Sequence, residues 1–203
     1  MKKLLVALWL MLLVLAIGNL FWYNQYRYSL PTPLPAKYKV VATGTAIRLP
    51  HSINKQQSKP VFLHFFNPDC PCSRFNVNHV KALVKQYGQQ VSFVVILVAA
   101  KNYTAKQIQD KYKLNIPVLQ DAALAAACGV YSTPQAVILT NTKQLFFRGN
   151  YNSSRYCTNK TSEYARQALN NLLHNLPAMH NPSATRAYGC SLADLNPGKY
   201  VNR

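Results

Sequence analysis

The sequence predicts an α/β domain, a mixed sheet with helices on both faces, set behind one N-terminal helix long enough to cross a membrane. Three observations carry that prediction. An uncharged apolar run of about twenty residues, Leu4 to Tyr23, follows Lys2 and Lys3. Short apolar runs suited to buried strands then alternate with stretches of helical spacing. Two further apolar runs, separated by Asn141-Thr142-Lys143, read as a closing hairpin. Parallel strands joined by crossover helices, followed by a hairpin, give a mixed sheet.

The apolar run exceeds the usual apolar core of a cleaved signal peptide, and no small-x-small cleavage pattern follows it. An uncleaved signal anchor over residues 1–23 is therefore expected, with its membrane helix at about 4–23. Trp22, Tyr23, Tyr26 and Tyr28 form an aromatic belt at its far end. Arg27 and later basic residues flank that same end, so charge alone leaves the orientation open. Cysteine usage favours the outer face of the cytoplasmic membrane. Residues 24–48 read as a linker, with Pro31, Pro33 and Pro35 stiffening it, and with a first strand over 39–47.

The main domain is expected over 49–176. Val61 to Phe66 is a buried strand, and Asn67-Pro68-Asp69 is turn material. A helix follows, with Val80, Leu83, Val84 and Tyr87 on one face and Gly88 closing it. Val91 to Val98 is the next strand. Thr104 to Lys113 and Ala122 to Cys128 are helices. Gln135 to Thr140 and Gln144 to Gly149 form the hairpin. A last helix starts near Asn159 or Thr161, either of which can cap it, and Pro177 ends it. Residues 177–203 read as an irregular tail.

Charge is far from balanced. The chain has 23 Lys and Arg against five acids, a formal net charge of +18. The basic residues are scattered, with no run of four, and no zinc-finger or RNA-binding motif accompanies them. Attraction to anionic headgroups fits a membrane-tethered domain better than nucleic acid does.

Five cysteines fall at 70, 72, 128, 157 and 190. Cys70 ends a strand and precedes a helix. Helix N–H groups and the helix dipole stabilise a thiolate there, and the thiolate is the nucleophile of disulfide exchange. A Cys70–Cys72 bridge would close a small ring stiffened by Pro71, and strained bridges of that kind are easily reduced. Cys128 lies in an Ala-rich helix and reads as a small buried hydrophobe rather than a resolving thiol. A structural bridge from Cys157 to Cys190, pinning the tail, is the leading expectation for those two. The alternative is that Cys190 reaches Cys70 as a resolving cysteine. An odd count leaves at least one thiol free or paired outside the chain.

Two segments resemble the thioredoxin superfamily. Phe65-Phe66-Asn67-Pro68-Asp69-Cys70-Pro71-Cys72-Ser73 is similar to its active-site strand, loop and helix start. Tyr131-Ser132-Thr133-Pro134, followed by a strand, is similar to its cis-proline loop. The resemblance covers about residues 60–176. It implies a thioredoxin-like fold with Cys70 as attacking cysteine and Pro134 as the cis-proline. It places Thr133 beside the site, with a backbone that contacts the substrate chain. The sequence departs from the family at Ser73, which stands where the second cysteine belongs, and Cys72 comes one residue early. His64 occupies a position where many relatives carry a buried acid. It reads as a core histidine or, less simply, as a proton acceptor.

The implied activity is that of a thiol–disulfide oxidoreductase, with Cys70 attacking and Cys72 or Cys190 resolving. The implied partners are exported cysteine-containing proteins and a redox donor or acceptor, met by a monomer. No organic cofactor is expected, since no Gly-rich nucleotide loop occurs. Three alternatives differ in kind. Cys70, Cys72 and His79 would make a soft-metal set for copper(I) delivery. A thiol peroxidase shares the fold but lacks its Thr here. A redox-inactive module would use the same groove to hold peptides.

Overall fold

The computed structural model describes residues 2–26, 30–36, 38–53 and 58–192. Arg27, Tyr28 and the tail beyond Leu192 lie outside the described residues. The first helix, α1 (Lys2–Asn24), is long and apolar enough to span a bilayer, and none of its residues is buried against the domain.

The domain is a five-stranded sheet in the order β3-β2-β1-β5-β6. These strands are β1 (Val61–Phe66), β2 (Ser92–Leu97), β3 (Val118–Gln120), β5 (Gln135–Leu139) and β6 (Leu145–Gly149). β1 is central, parallel to β2 and antiparallel to β5. β2 runs parallel to β3, and β5 pairs antiparallel with β6. A separate short strand, β4 (Ser132–Thr133), precedes β5.

Alternation along β1 sorts the core. Phe62 and Phe66 face one layer, with α2 (Pro71–Tyr87), α3 (Ala105–Tyr112) and α5 (Tyr164–Leu173). Leu63 and Phe65 face the other, with α4 (Ala122–Ala127). Every residue of β1 is buried, as a central strand covered on both faces requires.

Local chemistry sets the helix starts. Pro71 occupies the first turn of α2, where its fixed φ suits the helix and its missing N–H costs nothing. Thr104 and Gln107 close a reciprocal capping box on α3. Asp121 caps α4 through the Leu124 amide. Asn159 caps a 3-10 turn, Lys160–Ser162, rather than α5 itself. The last helix therefore starts later than its two candidate caps suggest, with Glu163 at its N-cap.

Three segments differ from expectation. Residues 39–47 form no strand: Gly44 turns at φ 88°, and only an isolated bridge joins Ala46 to Gln144. The β3 strand was not anticipated, because three residues between Pro117 and Asp121 carry too little pattern. The tail is ordered through Leu192. It contains a short helix, α6 (Pro182–Thr185), and a strand, β7 (Cys190–Ser191), paired antiparallel with β4.

The tail is anchored along its length. Asn150 Nδ2 donates to the carbonyls of Ser183 (3.1 Å) and Arg186 (2.7 Å), and the Asn150 amide donates to Ala184 (2.7 Å). Thr32 N–H donates to Ala187 O at 2.8 Å, so the linker flanks the tail on its other side. Leu192 N–H donates to Tyr131 O at 3.0 Å. Ala184, Ala187 and Leu192 are all buried.

Candidate active site

Cys70 is the N-cap of α2, in extended conformation at φ −85° and ψ 120°. No side chain caps the first amides of that helix. The positive end of a seventeen-residue helix therefore stands at the Cys70 sulfur. Across from it, the Thr133–Pro134 peptide bond is cis, and Thr133 O lies 3.5 Å from Cys70 Sγ.

Cys70 is bonded to Cys190, with a Cα–Cα separation of 6.0 Å. This replaces the leading expectation of a Cys157–Cys190 staple, and the Cys70–Cys72 ring is not formed. The reason is the β4–β7 pairing, which sets Cys190 directly opposite Thr133. Gly189 makes the approach feasible. Its φ of 119° suits glycine, and a side chain there would strike the Thr133 carbonyl. The backbone of Thr133, expected to meet a substrate chain, is occupied by the protein's own tail.

Cys72 points inward and is fully buried with a free thiol. Burial pushes its pKa up, and the Arg155 guanidinium opposes that rise through its charge and a hydrogen bond. Ser73, in the seat of the family's second cysteine, is also buried and accepts the Asn67 amide at 3.3 Å. Asn76 Nδ2 donates to Cys72 O at 3.0 Å, and Cys157 Sγ lies 2.8 Å from Asn76 Oδ1. Cys157 is thus tied to α2 rather than to the tail. Burial raises its thiol to about 12. Cys128, wholly buried at the C-terminal end of α4, is likewise pushed up to about 12.

Arg155 is a residue of the site that the sequence does not mark as functional. Its guanidinium also donates to Asn24 O (3.0 Å) and Gln25 Oε1 (2.7 Å), joining the end of α1 to the floor of the site. Nothing in the local sequence Ser154-Arg155-Tyr156 signals this contact.

His64 is buried on the α2 side of β1, with Nδ1 2.6 Å from Tyr151 Oη. Desolvation, then the charge of His79, lowers its pKa to about 3, so it is a neutral core imidazole at ordinary pH. His79 stacks edge-on to Tyr151 and lies 3.7 Å from Glu163. Among the described residues no three His, Cys, Asp or Glu side chains gather as a metal site. The set Cys70, Cys72 and His79 is therefore not brought together.

The family profile for DUF6436, a domain of unknown function, matches residues 38–192. The chain belongs to this family. A crystal structure of a hypothetical protein from Sinorhizobium meliloti 1021 is similar to this DUF6436 chain with a TM-score of 0.62 at 19% identity. It covers 76% of this chain and 95% of that one. An uncharacterised conserved protein from Geobacillus kaustophilus matches at a TM-score of 0.61 and 22% identity, over 79% and 97% of the two chains. A thiol-disulfide oxidoreductase from Bacteroides fragilis NCTC 9343 overlaps at a TM-score of 0.41 and 16% identity, over 45% and 72%. No curated protein matches the sequence. With its sheet order and its cis-proline loop beside a cysteine at a helix start, this DUF6436 domain has a thioredoxin-like fold.

Proposed function

We propose that this DUF6436 protein performs thiol–disulfide exchange through the Cys70–Cys190 couple, on a domain held at the outer face of the cytoplasmic membrane by α1. One observation carries the reading: a disulfide whose first sulfur sits at an uncapped helix N-terminus, directly against a cis-proline loop. Reduction makes Cys70 a thiolate stabilised by the helix end, and reoxidation restores the bridge to Cys190. Of the two resolving cysteines the sequence offers, Cys72 and Cys190, the bridge favours Cys190, and Cys72 is buried with a free thiol. Thr133 and Pro134 line the couple: the Thr133 backbone pairs with Cys190, and its carbonyl oxygen lies 3.5 Å from Cys70 Sγ.

The apolar helix supports a single-pass anchor, and the cysteine chemistry favours the orientation that leaves the lysines inside. A reversible bridge suits an oxidising compartment, so exported cysteine-containing proteins and a membrane or soluble redox donor are the natural partners. The test is turnover of glutathione disulfide or insulin by the full chain in detergent. Cys70→Ser and Cys190→Ser each abolish turnover on this reading. Activity surviving either change refutes it.

A further inference from the structure

We infer that exchange partners bond covalently to Cys190, and that Cys70 serves as the internal thiolate that leaves and returns without touching them. The inference rests on the exchange reading and reverses the role that the family resemblance gives to Cys70.

Accessibility makes the first argument. Cys70 is 1% exposed, enclosed by α2, the Thr133 carbonyl and the tail. Cys190 is partly exposed, on the short strand that covers Cys70. A thiolate must approach a disulfide sulfur along the line of the bond it breaks, opposite the leaving sulfur. Approach to Cys70 comes through the packed domain. Approach to Cys190 comes from the side where the protein meets solvent.

The tail itself makes the second argument. A partner could reach Cys70 if the tail peeled away, as a mobile lid would. This tail is built in instead. Asn150 holds three of its carbonyls, Thr32 and Tyr131 hold it from either side, and Tyr188 Oη donates to Asn152 O at 2.8 Å. Breaking the bridge leaves all of these contacts in place, so Cys190 stays over Cys70 in the dithiol form.

Leaving-group chemistry agrees. The sulfur that leaves fastest is the one whose thiolate is best stabilised, and Cys70 stands at the helix N-terminus. A partner thiolate attacks Cys190 Sγ. The partner–Cys190 bond forms, the Cys190–Cys70 bond breaks, and the electron pair goes to Cys70. A second thiolate of the partner then attacks its own sulfur and expels Cys190 as a thiolate. The net result is a partner disulfide and a Cys70, Cys190 dithiol, with two electrons transferred. The reverse sequence reduces a partner disulfide.

The test uses oxidised full-length protein in detergent and glutathione as the probe. The reaction is quenched with excess maleimide, and the peptides are mapped by mass. Glutathione on Cys190 with maleimide on Cys70 is the expected product. Glutathione on Cys70 with maleimide on Cys190 overturns the inference while leaving the exchange reading intact. A bridge that glutathione never opens sinks both. A second measurement guards against a short-lived adduct. With glutathione disulfide as probe, the Cys70→Ser protein should be modified at Cys190 at least about tenfold faster than the Cys190→Ser protein is at Cys70. The opposite order contradicts the inference.

Discussion

The Cys70–Cys190 bridge and the free thiols Cys72, Cys128 and Cys157 lie in one small domain yet have different surroundings. The bridge stands where a helix end meets a cis-proline loop, with one cysteine reaching solvent. Cys128 is buried and Cys157 half-buried, both with thiols pushed up to about 12, and Cys72 is enclosed although only two residues from Cys70. The difference teaches that reactivity follows the local field and access, not spacing along the chain. Cys190 is 120 residues from Cys70 and bonds to it, while Cys72 faces the core.

The largest effect separates the two groups by mutation. Loss of either bridge cysteine should lower glutathione-disulfide turnover by about 100-fold or more, whereas Cys72→Ser should change it by less than about threefold. A dead Cys72→Ser protein that still folds would move Cys72 into the reaction and break the contrast. The next test is chemical. At pH 8 a thiol with pKa near 12 is ionised on the order of 10³-fold less than a free cysteine. Maleimide labelling of the native protein, read by peptide mass, should therefore leave Cys128 and Cys157 unmodified while a reduced Cys190 is labelled.

The interior also has a pH signature. His64 is held neutral with a pKa near 3, below its ordinary 6.5, so the unfolded chain binds a proton that the folded chain refuses. Stability is full above about pH 6.5 and falls as pH drops, by up to about 1.4 kcal/mol per unit, until pH nears 3. His79, lowered by burial, acts in the same direction. Urea midpoints at pH 7.5 and 5 should differ by about 2 kcal/mol in stability, and His64→Gln should remove much of that difference. Equal midpoints in the wild-type protein would contradict a neutral, buried His64. The smallest effect concerns the tail. Asn150→Ala removes two side-chain hydrogen bonds to tail carbonyls. It should cost about 1–2 kcal/mol and raise protease cleavage between Ala178 and Leu192. An unchanged cleavage rate would mean that Asn150 does not hold the tail.

Much of the frame was legible in the sequence because its signals are local. The apolar runs of β1, β2 and the β5–β6 hairpin, and the helical stripe from Val80 to Tyr87, each declare themselves within a few residues. Cys70 at a helix start and Thr133-Pro134 before a strand are local signals too. The sequence names Cys190 as a partner for Cys70 only as the alternative to a Cys157–Cys190 staple, since cysteine connectivity depends on which strands meet, and β4 and β7 have two residues each. The tail, with three Pro and three Asn and no sustained apolar period, resembles irregular chain, and its order through Leu192 comes from Asn150, Thr32 and Tyr131, all distant in sequence. Gly189 was the one local clue, a residue without a side chain beside a lone cysteine.

The most direct test of the account is a glutathione redox titration of the full chain, with every cysteine mapped at each step. The account predicts one two-electron transition, seen in the Cys70–Cys190 peptide pair, with Cys72 and Cys157 remaining thiols throughout. A transition carried by a Cys70–Cys72 or Cys157–Cys190 pair, or no transition at all, would contradict it.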